Sequence, residues 1–569
     1  MSKRWELRDT AGSVSDPIKM GLQVHPLVIG ILAARGCVTP DEIRMFLTPA
    51  LSDMLDPFLL RGMDKAVARL MAAHRTGEKV CVYGDYDVDG ITGTALLVSF
   101  LRVTGFTCSY FIPNRFDDGY GLNLVSIESI IAMGATLIVS VDCGITAVDE
   151  AALCRQRGVD LIIVDHHSPK EILPDACAVL DPLQPGCGYP FKFLAGVGVA
   201  FNLLVALRSA LRDAGAFKVA DLPDLRKWLD LVALGTIADV VPLINQNRIY
   251  ACHGLKQLAQ PSRPGIQALK RVAGIKEGAV TCGQVGFRLA PRLNAAGRME
   301  SAVPGVDLLM SDSLDESLLI ASELDSANAE RQAIERRIFD EAVSLVESSG
   351  DYPGRRSIVL ASEEWHQGVI GIVASRLVER YHRPTVLIAL TEDGLGKGSG
   401  RSIPGFHLLD ALSPCSRHLL RFGGHRYAAG ISLNAADVPD FAETFEVVAA
   451  SLLTDNDLVP KLIIDAEVEP GDVTKELALE LKRLEPFGMG NPEPLLMLRG
   501  MTVVERRVVG DDHLRLRVTR GNRSFGAIAF NQADRETSGL IDIAFFPEVN
   551  EWNGSSSLQL RVKDLRSAE

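Results

Sequence analysis

The chain of 569 residues has no apolar run long enough to cross a bilayer, which takes about 18 residues or more. The charged N-terminus, MSKRWELRD, is not followed by an apolar segment, so no secretory signal is expected. The ten cysteines show no C-x-x-C spacing, which argues against a zinc ribbon and against a disulfide framework. We therefore expect a cytoplasmic protein in a reducing environment.

Positive charge is also in deficit, since 59 lysines and arginines face 72 aspartates and glutamates, for a net charge of −13. This balance does not exclude a nucleic-acid partner, because phosphate binding needs only a local basic groove. The hydrophobic fraction of 47% and the charged fraction of 23% are those of an ordinary globular protein. The length predicts three or four domains.

Acidic residues, by contrast, are crowded in the stretch 79–93, KVCVYGDYDVDGITG. A short apolar run there breaks into Asp85, Asp87 and Asp89, which indicates a buried strand that ends in a tight turn. Three neighbouring carboxylates repel one another unless a cation holds them, so a divalent metal is the first hypothesis and a solvated acidic turn the alternative. An EF-hand would need Glu at loop position 12, where this chain has Leu96.

Two further apolar runs end in residues that can bind metal. The runs at 80–83, 137–141 and 161–164 alternate with amphipathic stretches, which predicts a parallel sheet with crossover helices. Asp142 follows the second run, and Asp165, His166 and His167 follow the third. Because ligands bind beyond the carboxyl ends of such strands, we expect the three ends to converge. Asp142 alone would more commonly be a turn or cap residue.

The motifs GDYDVDG, VDCG, DHH and GTIADVVPL, in this order, resemble the four N-terminal motifs of the DHH phosphoesterase superfamily. Within it, RFDDGYG (115–121), LNAAGRM (293–299), GSGRS (398–402), GGHRYAAG (423–430) and EPFGMGNPEP (485–494) resemble the single-strand-specific 5′→3′ exonucleases. The likeness covers nearly the whole chain. It implies two Mn²⁺ or Mg²⁺ ions per active site and stepwise hydrolysis of single-stranded DNA to mononucleotides, in DNA recombination and repair.

The resemblance also implies residue roles. The expected metal ligands are Asp87, Asp89, Asp142, His166 and Asp239, with Asp142 as the bridge between the ions. The expected catalytic residues beside them are Asp85, His167 and Arg298. The expected substrate-binding residues are Arg115, Arg376, Ser399, Arg401, Gly424 and His425. A single-stranded-DNA-binding protein and a helicase are the expected partners, and a monomer is expected.

The fold class expected is α/β, with two α/β lobes joined by a long helix and a C-terminal β-barrel of the OB-fold type. The two lobes are the DHH parallel-sheet domain and the DHH-associated C-terminal domain. Helical spacing of Ile334, Ile338, Ala342 and Leu345 predicts the joining helix. The expected divisions are a covering segment (1–55), the DHH domain (56–314), the joining helix (315–350), the substrate-binding domain (351–455), and the linker with the OB-fold (456–569).

The C-terminal barrel is predicted from five short alternating strands after the proline-rich linker. Its first half is rich in arginine, which could form a track for single-stranded DNA, with Phe525 and Phe530 as stacking platforms. A solvated charged face is the alternative. The arginines are Arg499, Arg506, Arg507, Arg515, Arg517, Arg520 and Arg523.

Two other functions stay open at this point. A DHH-family phosphodiesterase could act on short oligonucleotides or cyclic dinucleotides, although such enzymes usually lack a basic barrel. A non-catalytic single-stranded nucleic-acid-binding scaffold is disfavoured by the complete set of acids and histidines. The segment GVGVAF (196–201) is excluded as a dinucleotide fingerprint, because Phe201 stands where a third Gly or Ala belongs.

Overall fold

The computed structural model describes residues 3–9, 23–115, 119, 121–217, 221–350, 354–552 and 555–568, and it begins with a strand and three helices. These are β1 (Arg4–Leu7), α1 (Pro26–Ala34), α2 (Pro40–Leu47) and α3 (Met63–Thr76). The chain divides into two units. The larger unit comprises Trp5–Asn294, Ala302–Ala321 and Ile463–Glu569, and the smaller unit comprises Met1–Arg4, Ala295–Ser301 and Ser322–Leu462.

A five-stranded parallel sheet follows in the larger unit, in the order β3-β2-β4-β5-β6. Its elements are β2 (Lys79–Gly84), α4 (Val88–Val103), β3 (Thr107–Phe111), α5 (Leu124–Ala132), β4 (Leu137–Val141), α6 (Val148–Gln156), β5 (Asp160–Val164) and β6 (Ala178–Leu180). The three central strands are the predicted apolar runs. The edge strands β3 and β6 were not predicted, because one is partly polar and the other has three residues.

Helices make up the rest of this part of the chain. They are α7 (Gly196–Asp213), α8 (Leu229–Ala238), α9 (Asn245–Ala259), α10 (Pro264–Val272), α11 (Cys282–Gln284), α12 (Ala290–Met299), α13 (Val303–Met310) and α14 (Leu314–Ser348). The predicted long helix is α14, of 35 residues. Ile338 and Ala342 are buried as expected, but Leu345 is 39% exposed and Val346 is buried in its place.

The smaller unit contains a mixed sheet in the order β10-β11-β9-β8-β7. Its elements are β7 (Ile358–Ser362), α15 (Ile370–Tyr381), β8 (Thr385–Leu390), β9 (Leu395–Arg401), α16 (Leu408–Leu412), β10 (Arg421–Gly424), β11 (Ala428–Asn434) and α17 (Val438–Leu452). Alternate residues of β8 point to opposite faces. Leu387 packs with α14 and α15, whereas Val386 packs with α16 and α17. Helices therefore cover both faces of this sheet.

The C-terminal segment forms the predicted closed barrel. Its elements are β12 (Lys461–Ile464), β13 (Ala466–Glu467), α18 (Lys475–Lys482), β14 (Leu496–Val509), β15 (His513–Arg520), β16 (Arg523–Ala529), β17 (Leu540–Trp552) and β18 (Ser555–Ser567). The order β14-β15-β16-β18-β17 closes because β17 also pairs with β14. The short β13 adds to β14 in parallel.

The barrel shares its hydrophobic core with the N-terminal helices. Val28, Ile29 and Phe46 from α1 and α2 belong to the same buried cluster as Leu496 and Phe545 from the barrel. The N-terminal segment, predicted as a cover, thus packs against the C-terminal barrel. Nowhere in the described ranges does a helix combine the length and apolar character needed to cross a membrane.

Candidate metal centre and phosphate-binding site

Three aspartates follow β2 and lie at the start of α4. Asp87 is the N-cap of α4, and its Oδ1 accepts hydrogen bonds from the amides of Asp89 (2.9 Å) and Gly90 (3.1 Å). Asp85 is 3% exposed, and its Oδ1 has no hydrogen-bond partner among the described residues. Capping of a helix by Asp87 explains the local turn, but burial of Asp85 Oδ1 without a hydrogen-bond partner is costly.

Asp142 follows β4 in a left-handed backbone conformation, with φ of 64°. Its Oδ1 lies 3.1 Å from Nε2 of His166, which follows the neighbouring strand β5. The same His166 nitrogen lies 3.7 Å from Asp89 Oδ2 and 3.6 Å from Asp239 Oδ2. The predicted convergence of the strand ends is therefore present. Asp239 joins them from the C-terminus of helix α8 rather than from a strand.

Both oxygens of Asp89 accept hydrogen bonds from the first turn of α7. Gly196 N donates to Oδ2 over 2.6 Å, and Val197 N donates to Oδ1 over 2.9 Å. A Cβ at Gly196 would lie 2.9 Å from Asp142 Oδ1, so glycine allows this approach. The segment that was excluded as a dinucleotide fingerprint thus holds a predicted metal ligand through its backbone.

The donor atoms form three overlapping groups, each within 4.8 Å. The groups are Asp85, Asp87 and Asp142; Asp89, His166 and Asp239; and Asp142, His166 and His167. Asp142 and His166 each belong to two of them. Asp85 and His167, predicted to act beside the ligands, contribute donor atoms to these groups as well.

The carboxylates of this cluster are held in an environment that disfavours negative charge. Burial, followed by repulsion from Asp89, raises the pKa of Asp142 and of Asp239 well above the usual value. Burial and Asp87 raise the pKa of Asp85 strongly and that of Asp89 to about 7. Divalent cations would offset this repulsion, and carboxylate and imidazole donors suit Mn²⁺ or Mg²⁺. The residues present therefore fit such ions.

Asp165 was predicted among the strand-end residues that can bind metal, but it was given no role in the site. Its buried Oδ1 accepts from Nδ1 of His167 over 2.7 Å and from the amides of His166 and His167. Burial alone would raise the pKa of Asp165 and lower that of His167, but their hydrogen bond and the opposite charges around them together outweigh burial. The pKa of Asp165 is lowered and that of His167 is raised to about 9. Burial and the charge of His167 lower the pKa of His166 to about 4.

A second cluster of predicted residues lies in the smaller unit, at the N-terminus of α15. A Cβ at Gly371 would lie 2.8 Å from Ser399 Oγ and 2.9 Å from an Arg401 nitrogen. Arg298 donates to the carbonyl of Gly368, just before α15, over 3.2 Å. Helix N-termini with nearby guanidinium groups favour phosphate. The motif WHQGVIG (365–371) was missed, although two glycines at the start of an amphipathic helix are a usable signal.

The remaining predicted substrate residues have diverse surroundings. Gly424 and His425 lie in the β10–β11 hairpin, and Ala428 at its end pairs with Arg401. Arg376 forms an ion pair with Glu335 over 3.1 Å. Its guanidinium also lies 3.9 Å from the centre of the Phe339 ring. Arg115 packs on the Tyr86 ring at 4.9 Å. Residues 116–118 and 120 of its motif lie outside the described residues.

The barrel surface corrects one expectation. Phe525 is 6% exposed and belongs to the barrel core, so it cannot stack on DNA, whereas Phe530 is 49% exposed. The strand alternation places Phe525 on the inner face. Four of the seven arginines are occupied by acidic side chains or carbonyls, namely Arg499, Arg506, Arg517 and Arg520. Arg507, Arg515 and Arg523 are exposed. Arg507 on β14 lies directly opposite Arg515 on β15 in the antiparallel register.

The parallel sheet, with acids and histidines at successive strand ends, defines a DHH phosphoesterase. The model of the "DHH family, N-terminal domain" matches residues 79–236, and that of the "DHHA1 domain" matches residues 355–451. The "RecJ OB domain" model matches residues 464–564. The chain belongs to the RecJ family.

Relatives match over most of their length. The chain is 40% identical to the single-stranded-DNA-specific exonuclease RecJ of Bacillus subtilis, over 100% of this chain and 71% of the relative. It is 39% identical to RecJ of Escherichia coli, over 97% of this chain and 98% of the relative. RecJ of Thermus thermophilus in complex with Mn²⁺ superimposes with a TM-score of 0.84 at 32% identity, covering 100% of this chain and 80% of that one.

Proposed function

We propose that this chain hydrolyses single-stranded DNA from the 5′ end to mononucleotides, with two divalent ions held by the donor cluster. The observation that carries this proposal is the overlap of three donor groups, which share Asp142 and His166, within a chain of the RecJ family. When bound, Mn²⁺ or Mg²⁺ would activate water, neutralise phosphate oxygens and stabilise the leaving alkoxide.

The roles of the side chains follow from their surroundings. Asp142 would bridge the ions, and the other ligands would be Asp87, Asp89, His166 and Asp239. The amides of Gly196 and Val197 fix the direction of the Asp89 carboxylate. Asp165 orients the His167 ring. His167 and Asp85 would lie beside the metal ligands and face the substrate.

In the smaller unit, Ser399, Arg401, Gly424 and His425 would bind a terminal phosphate, with Arg298 placed to stabilise phosphate charge. A charge-assisted contact of this type contributes about 1.5–3 kcal/mol, which is enough to select which end of the strand is held. Arg115 and Arg376 would add substrate contacts. We also propose that the chain divides into five parts, with boundaries after residues 55, 314, 350 and 455. The proposed cytoplasmic partners are a single-stranded-DNA-binding protein and a helicase.

The two alternative functions have less support. A phosphodiesterase for short substrates would leave the barrel without a role, yet residues 464–564 match the RecJ OB domain. A non-catalytic scaffold would leave the crowded carboxylates without a purpose that offsets their repulsion.

End-labelled single-stranded DNA, incubated with and without Mn²⁺ or Mg²⁺, tests the proposal. We expect mononucleotides with metal and intact DNA with chelator. Products without metal, or binding without any hydrolysis, would contradict it. Hydrolysis of dinucleotides alone would favour the short-substrate phosphodiesterase.

A further inference from the structure

Two residues with exposed apolar side chains belong to segments that contact or supply donors of the metal cluster. Phe193 is 53% exposed and Val240 is 61% exposed. Single exposed apolar residues are common on protein surfaces and need no explanation by themselves. These two are different because each is attached to a segment that supports a donor of the cluster.

Phe193 begins the segment 193–197, which wraps the cluster through its backbone. The backbone of Leu194 forms a hydrogen bond with His166. Gly196 and Val197 donate to Asp89. Three residues span at most about 11 Å, so the Cα of Phe193 lies within that distance of the Cα of Gly196, which lies against Asp142. The backbone of Phe193 therefore lies close to the site, and we call the segment 193–197 the rim.

Val240 directly follows Asp239, so their Cα atoms are about 3.8 Å apart. Its φ of 60° is unusual for a β-branched residue. Strain of this kind is found at functional sites, where surrounding structure holds it in place. Here it keeps an exposed apolar side chain next to a predicted ligand.

One buried amide ties the two segments together. Asn247 is fully buried, and its Nδ2 donates to the carbonyls of Phe193 (2.5 Å) and Pro242 (3.0 Å). The Phe193 ring is also braced by an edge contact with Phe191, with ring centres 5.8 Å apart. The rim is therefore held in place before substrate binds, which lowers the ordering cost of a contact.

We propose that Phe193, with Val240 beside it, forms a platform for a nucleobase of the single-stranded DNA next to the scissile phosphate. An aromatic face accepts every base, so the contact would be independent of sequence. It also requires an unpaired base, so it would contribute to the preference for single strands. The inference rests on the proposed function and names a contact of that same site.

The test combines a protein variant with a substrate that lacks one base. Full-length Phe193→Ala is compared with the wild-type protein on a 5′-phosphorylated oligonucleotide. The same oligonucleotide is also prepared with one abasic nucleotide at the first, second or third position. Release of the first nucleotide with Mn²⁺ gives kcat and KM. Phe193→Ala should raise KM about 5- to 100-fold, the range that base stacking on an aromatic side chain supplies.

The decisive result is the coupling between the two changes. At one abasic position, the KM of the wild-type protein should rise by the same factor that Phe193→Ala causes on the intact oligonucleotide. The KM of Phe193→Ala should not rise further on that abasic substrate. Phe193→Trp should retain the wild-type KM, because it keeps an aromatic face. Phe58→Ala is the matched control, since Phe58 is also half exposed, at 50%, and is not adjacent in sequence to any donor of the cluster. Mn²⁺ affinity and Tm report on folding.

Val240→Gly supplies a second variant if Phe193→Ala does not fold. Removing the β-branched side chain at positive φ should raise Tm, whereas KM should also rise. A KM for Phe193→Ala within twofold of the wild type, or a loss that is the same at all abasic positions, would overturn the platform. Wild-type protein that neither bound nor degraded the oligonucleotide would overturn the proposed function and the platform together.

Discussion

Nδ1 of His167 lies 2.7 Å from Oδ1 of Asp165, and this hydrogen bond fixes one histidine at the edge of the metal cluster. Asp165 also accepts from the amide of Ile145 through its other oxygen, so the carboxylate is anchored on both sides. His167 thus depends on a neighbour two residues away for its orientation.

Asp165→Asn should therefore reduce activity by about 10- to 100-fold, the usual cost of losing a residue that orients a metal-site side chain. The measurement is kcat together with Mn²⁺ affinity. If Asp165 acts through His167, the double variant with His167→Ala should be no worse than His167→Ala alone. Fully additive losses would show that Asp165 has a separate role.

Asp142→Asn should abolish hydrolysis and weaken Mn²⁺ binding, because Asp142 is shared between donor groups. Asn is chosen because it tolerates the positive φ of this position better than Ala does. In metal-free protein the same change should raise Tm, since it removes a buried charge from a crowded cluster. Calorimetry and metal titration measure both effects. Near-wild-type activity in the folded variant would remove Asp142 from the ligand set.

Arg507, Arg515 and Arg523 should carry most of the barrel's electrostatic contact with DNA, because the other arginines of the predicted track are occupied. Changing all three to Gln should weaken binding and reduce the slope of log K against log salt by about 2, at ~0.7 for each phosphate contact on a single strand.

The control for the arginine variant is Arg517→Gln with Glu505→Gln, which removes an exposed ion pair without changing net charge. It should leave the salt slope unchanged. Equal slopes for the triple variant and the wild type would identify the track as a solvated face. Deleting the barrel is a poorer test, because α1 and α2 would lose the core they share with it.

Glu78 should stabilise the fold in a pH-dependent way. Hydrogen bonds from Arg69 lower its pKa from 4.5 to about 2. A carboxyl group whose pKa is lower in the folded state than in the unfolded state stabilises the fold at pH values above the unfolded-state pKa. This stabilisation is lost as the pH falls through the folded-state pKa. The Tm of Glu78→Gln should therefore lie below that of the wild type at pH 7, and the gap should narrow from pH 5 to pH 3. Glu128→Gln, in an exposed pair with Arg157, should change little. A difference in Tm between Glu78→Gln and the wild type that stays constant with pH would contradict this role of Glu78.

Much of the metal site could be predicted because its acids and histidines follow apolar strands directly in sequence. The role of Asp165 was missed because hydrogen bonding to a residue two positions away leaves no spacing signal. The support of Asp89 by Gly196 comes from backbone amides more than 100 residues away. Such contacts depend on how α7 packs and cannot be seen in local patterns.

The fold was predicted best where apolar patterns are strong. The central strands and the barrel agree with expectation, but β3 and β6 have weak patterns. The prediction that Phe525 stacks on DNA was wrong, because the alternation of side chains along β16 turns Phe525 inward, where it packs in the core. The shared core of barrel and N-terminal helices joins residues more than 400 positions apart, so no local pattern reveals it.

The direction of hydrolysis tests the central claim most directly. Single-stranded DNA labelled at either end is digested with Mn²⁺, alongside 5′-blocked and circular strands of the same sequence. We predict that the 5′ label appears first, as a mononucleotide, and that blocked and circular strands stay intact. Release of the 3′ label first, or equal attack on circles, would contradict the account.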